Sequence, residues 1–497
     1  MSNVHETAYP RFKPNLTDQE LEEIYTPSQE ELKFIHAQGN NSTEKLSLLV
    51  LLKTSQRLGY FILPSDVPSN ITVHIATCAH LSSIDSRQLR ELEQTGARHR
   101  LRDLARGYLK LKTFDEDCKA LIGHISEEAA ETKQELADII NVVIEELVRR
   151  RIELPGFSTL QRAARSSRAA VNNRLYDSIY NSLSPKLKTE LADFLKMDEG
   201  NTQSRWHKLK KAPKKPTNRE VRSYLNHLSW LKEWVNLLPD VTHISVGRWR
   251  QLVLESRALD ISDLKRIKPE KRYTLIVVLS HSQLRSAMDD SVTILLRKLN
   301  SLHNRADRRL KQYNLEHTKK IESLISQFRD VLHAYREGET DFERISRISA
   351  SLRGDPERLV TECDEYMAYS GNNYIPFMLG SYRSQRPLLL NLLNLLNIQS
   401  SSSDTSIIEA IRFVLKHRNS RKPTLSIENE KLDLKWLPDK WKKMVTGKVS
   451  GSVKAVDRLY FELCMLTQVI TELKSGDLFV EQSENYNDYR DQLISWH

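Results

Sequence analysis

The stretch ELPGFSTLQRAARSSRAAVNNRLYDSIYNSL, residues 153–183, decides how this chain is read. Pro155 and Gly156 break the backbone after a long predicted helix, and a second helix is expected behind them. Ser158 is placed as its N-cap with Gln161 at N3, a capping-box pattern that satisfies two of the open donors of a helix start. Leu160, Ala164, Val171 and Leu175 then fall close to one side of a 3.6-residue helix. Arg162 and Arg165 lie nearly opposite, with Arg168 on the flank. One face can therefore seal a core while the other offers guanidinium groups to an anion. Taken alone, such a face is ordinarily just solvated surface. Two shapes fit the segment. One is a helix-turn-helix broken at Ser166–Ser167, with SRAAVNNRLYDSI as the recognition helix. The other is one continuous helix, and the usual turn glycine is missing from the first.

The 497 residues exceed what one core organises, and three to five domains are expected. With 39% hydrophobic residues and little glycine or proline, the composition suits an all-α protein. No run approaches the roughly 20 apolar residues of a membrane helix, and no secretion signal opens the chain. Cys78, Cys118, Cys363 and Cys464 are dispersed, which fits a reducing cytoplasm and argues against a zinc ribbon. The net charge of +10 is localised: residues 1–320 hold 52 Lys and Arg against 40 Asp and Glu, whereas 321–497 hold 23 against 25. The excess is densest between Arg149 and Arg272. A positive charge so placed points to a polyanion, nucleic acid before a membrane surface.

Six regions follow in order. Residues 1–82 pair a polar arm (1–25) with a three-helix unit whose middle helix, STEKLSLLVLLKTSQRLG, is apolar almost all round and expected to be buried. His74, Cys78 and His80 lie close together there, but a core cysteine beside histidines explains them better than a metal site. Residues 83–200 form a helical module with basic helices. Arg98, Arg100, Arg102, Arg106, Lys110 and Lys112 are opposed only by Asp103, and Gly96 lets the backbone turn into the segment. Arg149, Arg150 and Arg151 suit the negative end of the helix before Pro155. Residues 201–218 are a basic linker in which Lys208, Lys210, Lys211, Lys214 and Lys215 can track a phosphate backbone without folding. In the third module, 219–315, Trp230, Trp234 and Trp249 read as core, and TLIVVL as buried helix rather than strand. Region 316–400 begins as a helical hairpin with the stripe Leu324, Ile325, Phe328, Val331 and Leu332, suited to a partner helix. Region 401–497 is a further helical scaffold.

Motifs of catalysis are missing. Thr446-Gly447-Lys448 lacks the upstream glycine of a phosphate-binding loop, and there is no H-E-x-x-H or G-x-S-x-G. The acidic residues read as helix-surface or tail charge (Asp477, Asp488, Asp491), with no distinguishable group of three for two-metal chemistry.

Several segments resemble the N-terminal region of the replicative transposases of the Tn-three family. They are YTPSQEELKFI, QTGARHRLRDL, ELPGFSTLQRAARSSRAAVNNRLYDSI, RWRQLVLESRALDISDLKRI, IPFMLGSYRSQRPLLLNLLNLLNI and VDRLYFELCMLTQVITELKSGDLFVEQSENYNDYRDQL, in collinear order over nearly the whole chain. The resemblance implies several helical modules that bind double-stranded DNA at transposon terminal inverted repeats, then a dimerisation region. An RNase H-like domain with a metal-binding Asp-Asp-Glu triad would follow. The sequence given stops at His497, about where that domain would begin, so no catalytic residue and no cofactor is assigned here; a divalent metal such as Mg belongs to that domain. A truncated transposase or a separately encoded N-terminal part is expected. Phosphate contacts are placed at 96–112, 149–174 (Arg174 included) and 205–222, with Arg162, Arg165 and Arg168 nearer base edges because arginine pairs bidentately with guanine. The alternative is a helical interaction protein that pairs with itself or with full-length transposase through 316–400 and regulates transposition without catalysis.

Overall fold

A computed structural model describes residues 4–81, 86–196, 204–213, 217–352, 355–368, 373–428, 430, 432–447 and 453–492. Among these the protein is all-α in character, with twenty-one α-helices and four strands of three residues. The chain forms two compact units, Met1–Leu191 with Pro239–Val278, and Ala192–Leu238 with Leu279–His497.

The first unit opens with α1 (Asp18–Tyr25), α2 (Gln29–Gln38), α3 (Ser42–Leu58) and α4 (Ser69–Cys78). Residues 1–25 are thus more than a polar arm. Thr17 and Glu20 form a capping box that starts α1, and Leu21 and Tyr25 bury. Ahead of it, Tyr9 stacks on Tyr60 at 5.4 Å and donates its hydroxyl to the Pro155 carbonyl at 3.0 Å. As expected, α3 is buried nearly all round, from Leu46 to Ser55. Two of its buried hydroxyls are satisfied locally, Thr54 on the Val50 carbonyl at 2.6 Å and Ser55 on that of Leu51 at 2.7 Å, whereas the buried Ser47 hydroxyl has no partner among the described residues. Gly59 ends α3 in a left-handed conformation (φ 75°), and its carbonyl accepts the Leu154 amide at 2.9 Å. A Cβ there would also lie 3.1 Å from Leu154 Cδ1.

Next come α5 (Ser86–Glu93), α6 (Ala97–Leu109), α7 (Glu116–Thr132), α8 (Leu136–Arg149), α9 (Phe157–Ser182) and α10 (Pro185–Asp193). Leu101 and Ala105 of α6 join the core of α1–α4, and α7, α8 and α9 share a second core built on Ile122, Ile139, Ile140, Val143, Leu147 and Leu160. Gly96 has ordinary right-handed backbone (φ −61°), so no glycine freedom is used where α6 begins.

Residues 205–211 do not remain an unfolded connector. Arg205–Leu209 is a helical turn, α11, because Trp206 and Leu209, three residues apart, both bury completely. Lys214 and Lys215 lie outside the described residues. After α12 (Asn218–Val235), α13 (Val246–Ala258) and α14 (Ile261–Arg266), one helix of 69 residues, α15, runs Pro269–Glu337. Leu275 to Leu279 within it are wholly buried, so TLIVVL is helix, as its surrounding period predicts. Helix α16 (Asp341–Ser351) turns back on the end of α15, with Arg344 over the Tyr335 ring at 5.1 Å. There Ile325, Phe328 and Leu332 are each more than half exposed.

The second unit closes with α17 (Pro356–Ala368), α18 (Ile375–Leu395), α19 (Ser406–Lys416), α20 (Asp439–Thr446) and α21 (Arg458–Ser475). Two small antiparallel pairs, β1 (Ile398–Ser400) with β4 (Leu478–Val480) and β2 (Thr424–Ser426) with β3 (Ala455–Asp457), were not foreseen. Strands this short carry too little period-2 pattern to stand out from loop.

Candidate nucleic-acid interface

Helix α9 is the continuous alternative, 26 residues with no break at Ser166–Ser167. Ser167 is buried, its hydroxyl donating to the Gly123 carbonyl at 3.5 Å, because α9 lies along α7 at that level. Leu160, Ala164, Val171, Tyr176 and Ile179 form the buried stripe, and Leu175 is half-buried. Burying the two largest aliphatics, Leu160 and Ile179, stabilises the helix by about 2–3 kcal/mol each. The start differs from expectation. Gly156, not Ser158, occupies the N-cap, and no side chain caps the helix. Phe157 is drawn against Tyr9 (centroids 5.5 Å apart), so packing rather than a capping box fixes the first turn.

The opposite face is basic. Arg162 and Arg165 are exposed, and no hydrogen bond or ion pair holds either among the described residues. Arg168 is different: half-buried, it donates to the Gln134 carbonyl at 3.2 Å in the α7–α8 turn. Arg174 is exposed, 3.9 Å from Glu127. Arg248, which the sequence did not single out, is buried and donates to the Ala130 carbonyl at 2.6 Å near the end of α7. Guanidinium groups there complement the negative end of α7.

The arginines of α6 are mostly committed to the fold. Arg100 pairs with Glu44 at 2.6 Å and holds that carboxyl below its usual range. Arg102 and Arg106 both reach the buried carboxylate of Glu153, and both lie over the Phe61 ring, at 5.3 and 5.5 Å. The segment is therefore not opposed by Asp103 alone. Glu44 and Glu153, remote in sequence, are its counter-ions. Arg98 is exposed and unpartnered among the described residues. Arg149 and Arg150 share Glu146, and the left-handed Arg151 (φ 53°) offers its carbonyl to the Lys112 amide at 2.8 Å.

In the second unit the basic segment sits on aromatic rings. Lys208 Nζ lies 4.1 Å over Trp230, Lys210 Nζ 4.3 Å over Trp206, and Lys211 donates to Ser223 Oγ at 3.1 Å. Phe194 stacks on Trp234 at 4.6 Å, and His227 on Trp230 at 5.5 Å. Trp234 is core, its indole N–H donating to Ser280 at 3.0 Å, whereas Trp230 and Trp249 are half-buried. His227 is 3% exposed with neither ring nitrogen partnered. Burial, then Lys211 and Lys208, push its pKa down to about 4. The unfolded chain, with an ordinary histidine near 6.5, binds the extra proton between these values, so stability falls as pH drops from about 6.5 to 4. We expect thermal melts of the wild type to decline across that window by at most about 1.4 kcal/mol per unit from this group. A His227→Phe chain should lose less; equal declines would clear His227 of the effect.

The acidic side chains missed by sequence reasoning are buried. Besides Glu153, Glu462 is 1% exposed and Asp289 8%. Asp289 accepts from the amides of Glu484 and Asn485 at 3.1 Å each and from the Asn485 side chain at 2.8 Å. No three His, Cys, Asp or Glu side chains among the described residues come together as a metal group. His74 Nε2 lies 3.6 Å from Cys78 Sγ and 3.0 Å from Thr26 Oγ1. No described helix is long and apolar enough to cross a membrane.

A family model described as a domain of unknown function (DUF4158) matches residues 1–166. The transposase for transposon Tn501 of Pseudomonas aeruginosa is 23% identical over 485 residues, 96% of this chain and 47% of that protein. The transposase for Tn2501 of Escherichia coli is 25% identical over 467 residues, 90% of this chain and 44% of its own length. That for Tn21 of Escherichia coli is 23% identical over 363 residues, 72% and 35% respectively. The chain is homologous to Tn-three-family transposases over most of its length, and it spans about half or less of those relatives.

Proposed function

We propose that this chain binds double-stranded DNA at transposon terminal inverted repeats and serves as the end-recognition part of a transposase. The observation that carries the reading is collinear similarity to transposases over 96% of the chain. The free arginines of α9 support it, because arginines without internal partners are the ones available to phosphates and base edges. Arg162 and Arg165, with Arg98, lead the contact set. Arg100, Arg102, Arg106 and Arg168 act through the fold, since their guanidinium groups already have protein acceptors. A mobility-shift titration of an inverted-repeat duplex against a scrambled duplex across a salt series tests this. We expect tighter binding to the repeat, with affinity falling steeply as salt rises. Equal affinity for both duplexes would remove end recognition, and no salt dependence would remove DNA binding.

A specific observation favours pairing with a second copy, or with full-length transposase, as an additional role. Leu315, Ile325, Phe328 and Leu332 stand exposed along the last third of α15. An apolar row of this kind is what a partner helix covers. Light scattering after size-exclusion chromatography should show a dimer that Phe328→Glu with Leu332→Glu converts to monomer. A wild-type monomer at tens of micromolar that also fails to co-purify with full-length transposase would count against pairing.

A further inference from the structure

A groove of about 390 Å³ lies in the second unit between α12 and α18. Pro387 stands inside α18, where it removes one backbone donor from the helix. The floor is Leu225, Leu388 and Leu395, and the walls carry Arg222, Asn226 and Ser229 from α12 and Asn391 and Asn394 from α18. None of those five polar side chains has a partner among the described residues, and no lining residue is a carboxylate.

The helices set the order of chemistry along the groove. Lys232, near the end of α12, donates to the Leu395 carbonyl at the end of α18, which brings those two ends together. At 1.5 Å per residue, Arg222 lies about 15 Å back along α12 and Arg383 about 18 Å back along α18. Arg219, one turn before Arg222, and Arg383, one turn before Pro387, are also exposed and unpartnered among the described residues. From Arg222 the lining therefore runs through amides and a hydroxyl towards the helix ends joined by Lys232, with Arg219 and Arg383 exposed one turn before Arg222 and Pro387.

We infer that this groove holds an unpaired DNA strand. Arginine binds phosphate bidentately, while the amides of Asn226, Asn391 and Asn394 both donate and accept, as the Watson–Crick edge of a base requires. That edge is exposed only when the strand is unpaired. The absence of carboxylates favours a polyanion over a peptide strand, and the lined stretch from Arg222 to Ser229 and from Pro387 to Leu395, at 1.5 Å per helical residue and 3.4 Å per nucleotide, accommodates about three stacked nucleotides. The groove belongs to the second unit and α9 to the first, and the inference rests on the reading of the chain as a DNA-end protein, extending it to a different DNA form.

Fluorescence anisotropy with the full chain and a labelled twelve-nucleotide deoxyadenosine strand tests the inference, beside the inverted-repeat duplex. We expect salt-sensitive binding of the single strand, about tenfold weaker for the Asn391→Ala, Asn394→Ala chain and weaker again with Arg222→Ala added. Circular dichroism melts would confirm that these exposed changes leave the fold intact. Unchanged strand affinity in those chains, or no strand binding by the wild type, would overturn the groove assignment. The duplex arm reads separately: a chain that binds the strand through the groove but ignores the repeat upholds this inference and defeats end recognition. Duplex binding that persists in chains lacking strand binding upholds both.

Discussion

A chain carrying Arg162→Glu and Arg165→Glu is expected to bind end DNA on the order of 100-fold more weakly at low salt, with its melting temperature nearly unchanged. Both guanidinium groups are exposed on α9 and have no protein acceptor among the described residues, so their loss strands no partner. Each phosphate contact contributes about 0.9 to the slope of log affinity against log salt, so the slope should fall by about two. Arg168→Ala supplies the contrast. Its guanidinium donates to the Gln134 carbonyl, and removal leaves that half-buried turn without its donor, at a cost of about 1–3 kcal/mol in stability. Binding by the folded Arg168 variant should change less than by the α9 double variant. Equal binding by wild type and double variant would take the DNA face off α9.

Glu462→Ala is expected to be the most destabilising single change in the second unit. The carboxylate is 1% exposed and accepts from Arg386 Nε at 2.6 Å, Arg386 Nη2 at 2.7 Å and the Tyr382 hydroxyl at 2.7 Å. Burial and the adjacent Glu462 charge hold the Tyr382 hydroxyl well above its ordinary pKa, so it remains a donor. Removing one member of a buried pair leaves the other charge uncompensated, at about 3–5 kcal/mol. For a unit of this size the melting temperature should fall on the order of 10 °C. Glu462→Leu combined with Arg386→Met and Tyr382→Phe should recover most of that loss, since apolar replacement of all three partners removes the stranded charge and the stranded hydroxyl. A fall of less than about 2 °C in the alanine chain would show that water reaches and solvates Arg386.

Local periodicity made most helices legible. Helix α3 is apolar on every side because core surrounds it, and α9 declares its buried stripe at Leu160, Ala164 and Val171. The Thr17–Glu20 capping box was equally readable, yet the polar composition of residues 1–25 masked it. Where α9 starts was less legible, because its first turn depends on Phe157 meeting Tyr9, nearly 150 residues earlier in the chain. The basic linker misled in the same way: its lysines suggest solvent, while Trp206 and Leu209 anchor the segment.

The arginines divide the two sources of information most clearly. Sequence alone determined an all-α chain, a positive charge confined to its first two-thirds and an arginine face on α9, because period and composition are local properties. Whether an arginine is available to DNA was decided only by tertiary structure. Glu44 and Glu153 are far from α6 in sequence, and the Gln134 carbonyl is far from Arg168, yet each claims a guanidinium group. Of the charges in the stretch from Glu153 to Leu183, the fold leaves Arg162 and Arg165 open, since counter-ions are assigned by three-dimensional neighbours rather than by chain neighbours.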